Sequence, residues 1–415
     1  MKKLIALVLS VAMAFALAAC SSGGGSAATT AAPETTAAAE TTAAESKEEP
    51  AAETTAQETT EAETETEAAT FAENVDLPSY KIGIICHTNS GGCWDRILDA
   101  ATYVADNLNC EIGFEIGANA ESCLSAAETM IGAGYNGLIF LADGGVTSRL
   151  IDMCSENGVY LVFSGCNLTV TEEEGYEEFS KNEYYCGNYS HDEYNDARTG
   201  AQNMIDNGAK NFVIYGLPPG ISSNFDLRVS GAEDAIKEAG LTFNEVRSFT
   251  LAQDSPTIMS QYPDTDAIFS FVTTPDSFNV EDFAAENAGK VQVSGYMVGD
   301  VSHEFDINFL TEVCVGEEAQ IEMSLAMLYN AMSGHRIADA DGKAPVVDFS
   351  HLWIESKEEW DTFNANVTGG KHAYTMDEVK AWLSVYTGKD VEISTLEEVA
   401  KKFSSHEADG WLATR

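Results

Sequence analysis

Trp94 offers a flat apolar face with a single N–H donor, a combination that can stack on a ring and fix its orientation. The same indole, in the first turn of a helical pattern, can also pack into its own core. Asn89, in the glycine-containing stretch from His87 to Trp94, can donate and accept at once, as recognition of hydroxyls demands. Asparagine there is equally a turn former. Arg228 stands near the start of a helical pattern, where the helix dipole disfavours a cation unless a negative or strongly accepting group lies close. A ligand would supply that group, and so would an ion pair with Asp226 or Glu233. Asp143, Thr274 and Asp276 flank helix starts, with Pro275 suited to a first helical position, so capping is their first reading. His87 beside Cys86 and near Cys93 raises a metal site, but strand alternation sends residues 86 and 87 to opposite faces, and no metal is expected. There is no phosphate loop, nucleophile elbow or His-Glu-x-x-His pattern. These side chains suit non-covalent recognition, and neither catalysis nor a cofactor is expected.

The elements that must position them alternate. Apolar runs of strand length (Lys81–Cys86, Glu111–Ile116, Gly137–Leu141, Val159–Phe163) are separated by helical patterns near 93–108, 120–131 and up to Asn157. This is βαβ rhythm with strands buried on both faces. The rhythm restarts with a helix over about 194–207 and strands at Asn211–Tyr215, Phe243–Phe249, Ala267–Val272 and Val291–Val298, with helices near 224–239 and 277–287 between them. The fold class is therefore α/β, with two doubly wound parallel-sheet lobes: residues 77–188, then residues 189–300. Thr171–Tyr189, acidic and aromatic without a clean period, reads as the crossing between them. A further strand at Thr311–Val315 and a helix at Glu317–Met332 are expected to return to the first lobe, completing it with about residues 305–340 and making the hinge multiple. Residues 341–415 read as a hinge return and a C-terminal helical extension, with Trp353, Trp360 and Trp382 as packing residues. In open parallel sheets ligands bind beyond the carboxyl ends of the strands. That rule gathers His87, Asn89, Trp94, Asp95, Asp143 and Asn167 on one rim, and Arg228, Thr273 and Asp300 on the other.

The N-terminus sets where this body works. Lys2 and Lys3 precede an apolar run from Leu4 to Ala19, shorter than the roughly 20 residues a membrane span needs. Leu17-Ala18-Ala19-Cys20 resembles the lipobox of bacterial lipoproteins, which implies a signal peptide over residues 1–20, cleavage before Cys20 and acylation of its thiol. Ser21–Thr70 is almost entirely Ala, Thr, Glu, Ser and Gly, with no aromatic residue and only Lys47 as a base, so residues 21–76 read as a disordered acidic tether. The expected location is the outer face of the cytoplasmic membrane, anchored by lipid.

The chain has 67 acidic and 22 basic residues; without Lys2, Lys3, Lys47 and the eleven tether glutamates, the body keeps 56 acids against 19 bases. Such a surface repels phosphate backbones, so nucleic acid is excluded as a partner. Eight cysteines follow Cys20, mostly in apolar runs, and read as small buried hydrophobes rather than a disulfide framework.

At this point the chain resembles the type I periplasmic-binding-protein family, in its sugar-binding branch. The resemblance covers roughly residues 80–349. It rests on the opening strand with the loop His87–Trp94, on Ala126-Ala-Glu-Thr-Met130 with Gly134-Tyr-Asn-Gly-Leu-Ile139, on Arg228-Val-Ser-Gly231 followed by Ala239-Gly240, and on the order of elements. It implies a monomeric solute receptor whose lobes close on a sugar-like or nucleoside-like small molecule, stacked on Trp94 and reached by Arg228, for delivery to the membrane permease of an ABC importer. A sensor of the same fold, signalling to a membrane partner, is the alternative. Where sugar binders carry an Asn-Asp pair and an aspartate after Gly-Phe, this chain has Phe271-Val272-Thr273 and Gly295-Tyr296-Met297. Those departures imply a flatter, less hydroxylated solute.

Overall fold

The computed structural model describes residues 71, 75–88, 91–141, 145–165, 168–272 and 275–415, without the side chains of 168, 169 and 276. Strands β1 (Tyr80–Cys86), β2 (Cys110–Ile116), β3 (Gly137–Phe140), β4 (Tyr160–Ser164), β5 (Tyr185–Ser190) and β11 (Val346–Asp348) form one sheet in the order β11-β5-β4-β3-β1-β2, parallel throughout. The second sheet runs β12-β10-β9-β8-β6-β7, from β6 (Asn211–Gly216), β7 (Thr242–Arg247), β8 (Ala267–Ser270), β9 (Gln292–Tyr296), β10 (Glu312–Val315) and β12 (Leu352–Ile354). Only its β10–β12 pair is antiparallel.

Near-continuous apolar strands follow from having both faces covered. In the first sheet Ile85, Leu138, Phe140, Leu161 and Phe163 pack on the helices Ala120–Gly132 and Thr147–Glu156. Their neighbours Ile84, Ile139 and Val162 point the other way, into a cluster with the helices Trp94–Asn107 and Glu317–Met332. The second sheet divides likewise: Phe212, Ile214, Ala267 and Phe269 face the helices Glu193–Asp206 and Ser223–Glu238, and Val213, Tyr215 and Ile268 face away. Among the described residues no helix is long and apolar enough to cross a membrane.

The strand expected to return to the first lobe does not do so. Glu312–Val315 pairs with β9 and β12 in the second sheet. The connection from β9 is local, through the short helix Ser302–Asp306, and consecutive elements so joined stay adjacent. The chain crosses after β10, at Gly316, and the helix Glu317–Met332 then packs on β3, β4 and β5 of the first sheet. Three segments thus pass between sheets: β5 into the helix Glu193–Asp206, β10 into Glu317–Met332, and β11 into β12.

Residues 357–415 pack against the outer side of this junction. Helix Lys357–Val367 sends the Trp360 indole N–H to Ser302 Oγ at 2.9 Å. Buried Glu322, on the helix Glu317–Met332, accepts from the amides of Ala373 and Tyr374 at 3.1 and 2.9 Å. Asn330 on the same helix bonds both Trp382 O and Ser384 N. The seven described cysteines are buried free thiols.

Helices Glu193–Asp206 and Ser223–Glu238 approach so closely that a Cβ on Gly231 would collide with the Tyr194 carbonyl. Gly231→Ala should therefore destabilise the protein by about 1–3 kcal/mol. A melting temperature within about 1 °C of the parent would contradict that packing.

Candidate functional site

The three crossings converge on a compact set of charged side chains. Phe349 N bonds Ser190 O at 2.7 Å, tying the first crossing to the third. His191 and His351 stack with centroids 3.4 Å apart, and His351 Nε2 lies 3.6 Å from Glu317 Oε1 of the second crossing. His351 Nδ1 is 2.6 Å from Asp196 Oδ2. Gly316 holds a φ of 147°, a region L side chains avoid, and a Cβ there would meet the Phe403 ring at 2.8 Å.

Burial acts on every group here and neighbours decide the outcome. Burial disfavours the charge on His351, but the neighbouring Cys314 and the Asp196 carboxylate override it and hold the imidazole protonated, well above its ordinary range. Asp196 itself is pushed up to about 6 by burial, against the pull of His351. Burial would raise Glu317, yet the protonated His351 ring, with Nε2 3.6 Å away, brings it down to about 2. His191, buried and stacked on a cation, is pushed down to about 3 and stays neutral.

Arg228 closes the set from the second lobe. Its Nε and Nη2 donate to the two oxygens of Glu193 at 2.6 and 2.9 Å, Nη1 donates to Phe271 O at 3.2 Å, and the guanidinium lies over the Tyr296 ring at 4.3 Å. Glu193 is held below the usual carboxylate range because this partner outweighs its desolvation. The Arg228 partner is therefore neither Asp226 nor Glu233, but the first residue of a helix on the neighbouring crossing.

Above these groups lies a cavity of about 390 Å³ between the lobes. The first lobe lines it with His87, Thr88, Trp94, Ile97, Ala118, Leu141, Ser164 and Gly165, all at or beyond carboxyl ends of strands. The second lobe supplies Ile221, Ser222, Asn224, Phe225, Arg228 and Met297, and the crossings supply His191, Glu193, Glu317 and Gln320. The lobes touch on both flanks. Arg96, held by Glu318 at 3.4 Å, donates to Val298 O and Gly299 O at 3.0 and 3.2 Å, and Asn224 Nδ2 reaches Gly165 O at 3.3 Å.

Of the residues singled out in the sequence, His87, Trp94 and Arg228 meet in this lining. Trp94 is nine-tenths buried, so it packs into its lobe and also borders the cavity. Asp95 is exposed and outside the lining. Asp300 is also outside it, accepting from Ser302 N and Oγ at 3.0 and 2.6 Å at the start of the helix Ser302–Asp306. Asn89, Asp143, Asn167, Thr273 and Cys20 lie outside the described residues. His191, Glu193, Glu317 and Gln320 escaped the sequence reading because they sit on crossings, and the two glutamates look like ordinary acidic first-turn residues.

The stacked histidines make a pH prediction with a definite sign. Unfolded, His191 takes a proton below about 6.5, whereas folded it resists until about 3, so the unfolded state binds more protons in that window. Stability should fall on acidification from pH 6.5 towards 4, by about 1 kcal/mol per pH unit from this group. His191→Gln should flatten that slope in urea unfolding; an unchanged slope would contradict the neutral assignment.

No family model and no curated protein matches the sequence. Solved structures do match the fold. An ABC transporter periplasmic solute-binding protein from Actinobacillus succinogenes, with bound D-allose, is 16% identical at a TM-score of 0.57, covering 68% of this chain and 99% of that one. A carbohydrate transporter from Acidothermus cellulolyticus, in complex with myo-inositol, is 13% identical at a TM-score of 0.57, covering 71% of this chain and 100% of that one. A glucose-galactose binding protein from Geobacillus stearothermophilus is 15% identical at 0.52, covering 68% and 98%. Three crossings, two parallel-dominated sheets and a cleft at their carboxyl ends give this chain the type I periplasmic-binding-protein fold.

Proposed function

We propose that this protein is a lipid-anchored, extracytoplasmic solute-binding protein that captures a small sugar-like or nucleoside-like molecule between its lobes and delivers it to an ABC importer. The cavity between the two carboxyl-end rims carries the reading: it is small-molecule sized, mostly apolar, and has a few polar groups at its floor. The sugar solute-binding proteins that share the fold support the role, and the lipobox-like Leu17–Cys20 with its acidic tether supports the address. A binding role needs no catalytic group from Arg228 and Glu193, which hold each other in a two-point ion pair at the cavity floor. Closure excludes water and strengthens the few polar contacts that orient the solute.

A thermal-shift screen of the purified protein against sugars, nucleosides and amino acids should yield at least one class that raises the melting temperature. For that solute Trp94→Ala should weaken binding ten-fold or more, about 1.4 kcal/mol, and an unchanged affinity would remove the tryptophan from the site. Cys20→Ser should release the protein from the membrane fraction of a producing cell; retention there would refute the lipid anchor.

A further inference from the structure

The cavity floor is made of acceptors. His191 Nδ1 lies 3.0 Å from Phe349 O, and a carbonyl only accepts, so Nδ1 carries the proton and Nε2 is a bare lone pair. Gln320 Nε2 donates to Tyr189 O, which turns its Oε1 away from that carbonyl. Neither His191 Nε2 nor Gln320 Oε1 has a partner among the described residues. Glu317 Oε2 is shielded from solvent and has none either. Glu317 and Gln320 are one turn apart on the same helix, and the His191 ring stacks on His351, whose Nε2 faces Glu317. Arg228 and Asn224 beside them are turned to protein acceptors, Arg228 to Glu193 and Phe271 O and Asn224 to Gly165 O.

Charge points the same way. Glu193, Asp196 and Glu317 are three carboxylates around two cations, Arg228 and His351, and the Arg96–Glu318 pair beyond them balances itself. One negative charge is left over in a site that closure desolvates.

We propose that this floor recognises a primary ammonium group on the solute, held by the Glu317 carboxylate, Gln320 Oε1 and His191 Nε2. The inference rests on the capture reading and narrows its ligand. An ammonium presents three N–H donors and no acceptor, matching three acceptors, and its charge answers the excess carboxylate. A carboxylate or phosphate solute would bring a further negative charge to a floor that already carries one in excess. The rest of the solute lies against Trp94, Phe225, Leu141 and Met297, walls that suit a flat body of low hydroxyl content.

The test is calorimetric titration of the purified protein with two matched sets: D-glucosamine, D-glucose and D-glucuronate; and benzylamine, benzyl alcohol and benzoate. In whichever set binds, the amine should bind about ten-fold or more tightly than the alcohol, with the acid unbound. Glu317→Gln should weaken amine binding at least about ten-fold more than alcohol binding, and an equal loss for both would overturn the charge-specific role of Glu317. An alcohol or acid that binds the wild-type protein as well as its amine overturns the inference and leaves the capture reading intact, whether or not the variant folds. No binding by any of the six overturns the ammonium assignment, and if the wider screen is also silent, capture fails with it.

Discussion

Three chain segments must pass between two sheets at one place, and there the backbone leaves its ladders while surrounded by protein. The backbone polar groups in that passage need partners other than water. The molecule meets this with side chains instead of a continuous strand: His351 bonds Asp196 through both its ring and its amide, the Trp353 indole N–H donates to Asp196 O at 2.9 Å, and His191 returns a hydrogen bond to Phe349 O. Two of the passages run directly into helices that open with glutamate, Glu193 and Glu317. The positive ends of both helix dipoles therefore converge on the junction, each with a carboxylate at its mouth. The hinge and the floor of the cavity are the same residues. Whatever occupies the cavity feels the electrostatics of the crossings directly.

Buried pairs of this kind contribute little net stability. Desolvating Arg228 and Glu193 costs several kcal/mol per ion, which their two short hydrogen bonds and the Tyr296 face roughly offset. Removing either partner alone would strand the other beneath the cavity. The pair fixes the helix Ser223–Glu238 on the helix Glu193–Asp206, and the missing side chain at Gly231 lets the two backbones come close enough for it to form. Arginine and glycine three residues apart thus serve one contact: one supplies the charge and the other the space.

The period-two alternation of Ile84/Ile85, Leu138/Ile139/Phe140 and Leu161/Val162/Phe163 fixes which side chain meets which helix layer, so the α/β class was legible from the sequence. Strand β5 was not. Tyr185–Ser190 is fully buried, yet it carries Gly187, Asn188 and Ser190, and its pairing with β11 depends on Gly187 lying tight under Pro345. Strands β11 and β12 are three residues each, too short for any periodicity to register. The destination of β10 was misjudged for a related reason: the apolar run in Glu312–Val315 announces a strand but carries no label for its sheet. In the site, Trp94 and Arg228 were legible because their types are conspicuous at the end of a strand or the start of a helix. The floor was not, since Glu317, Gln320 and His191 come together only through three crossings distant in sequence.

The proposed capture requires the lobes to part, and the contacts divide by how they bear that motion. On the cavity flanks the lobes are joined by Arg96 to two carbonyls and by Asn224 to one, single hydrogen bonds that rotation can exchange for water. The His351–Asp196–Trp353 network lies at the crossings themselves and can persist through rotation. The C-terminal segment complicates this division, because Trp360 reaches Ser302 in the second lobe while Tyr374 and Trp382 are bound to Glu322 and Asn330 on the helix of the first. Phe363 also lies under the Arg96 guanidinium, 5.8 Å from ring centre to charge. In the proposed cycle, opening leaves Arg96 with Glu318 and that ring, so the arginine loses two acceptors without being abandoned. In that cycle a brace touching both lobes on the outer side opposes wide rotation, and a small rotation suits a cavity whose polar floor is already assembled.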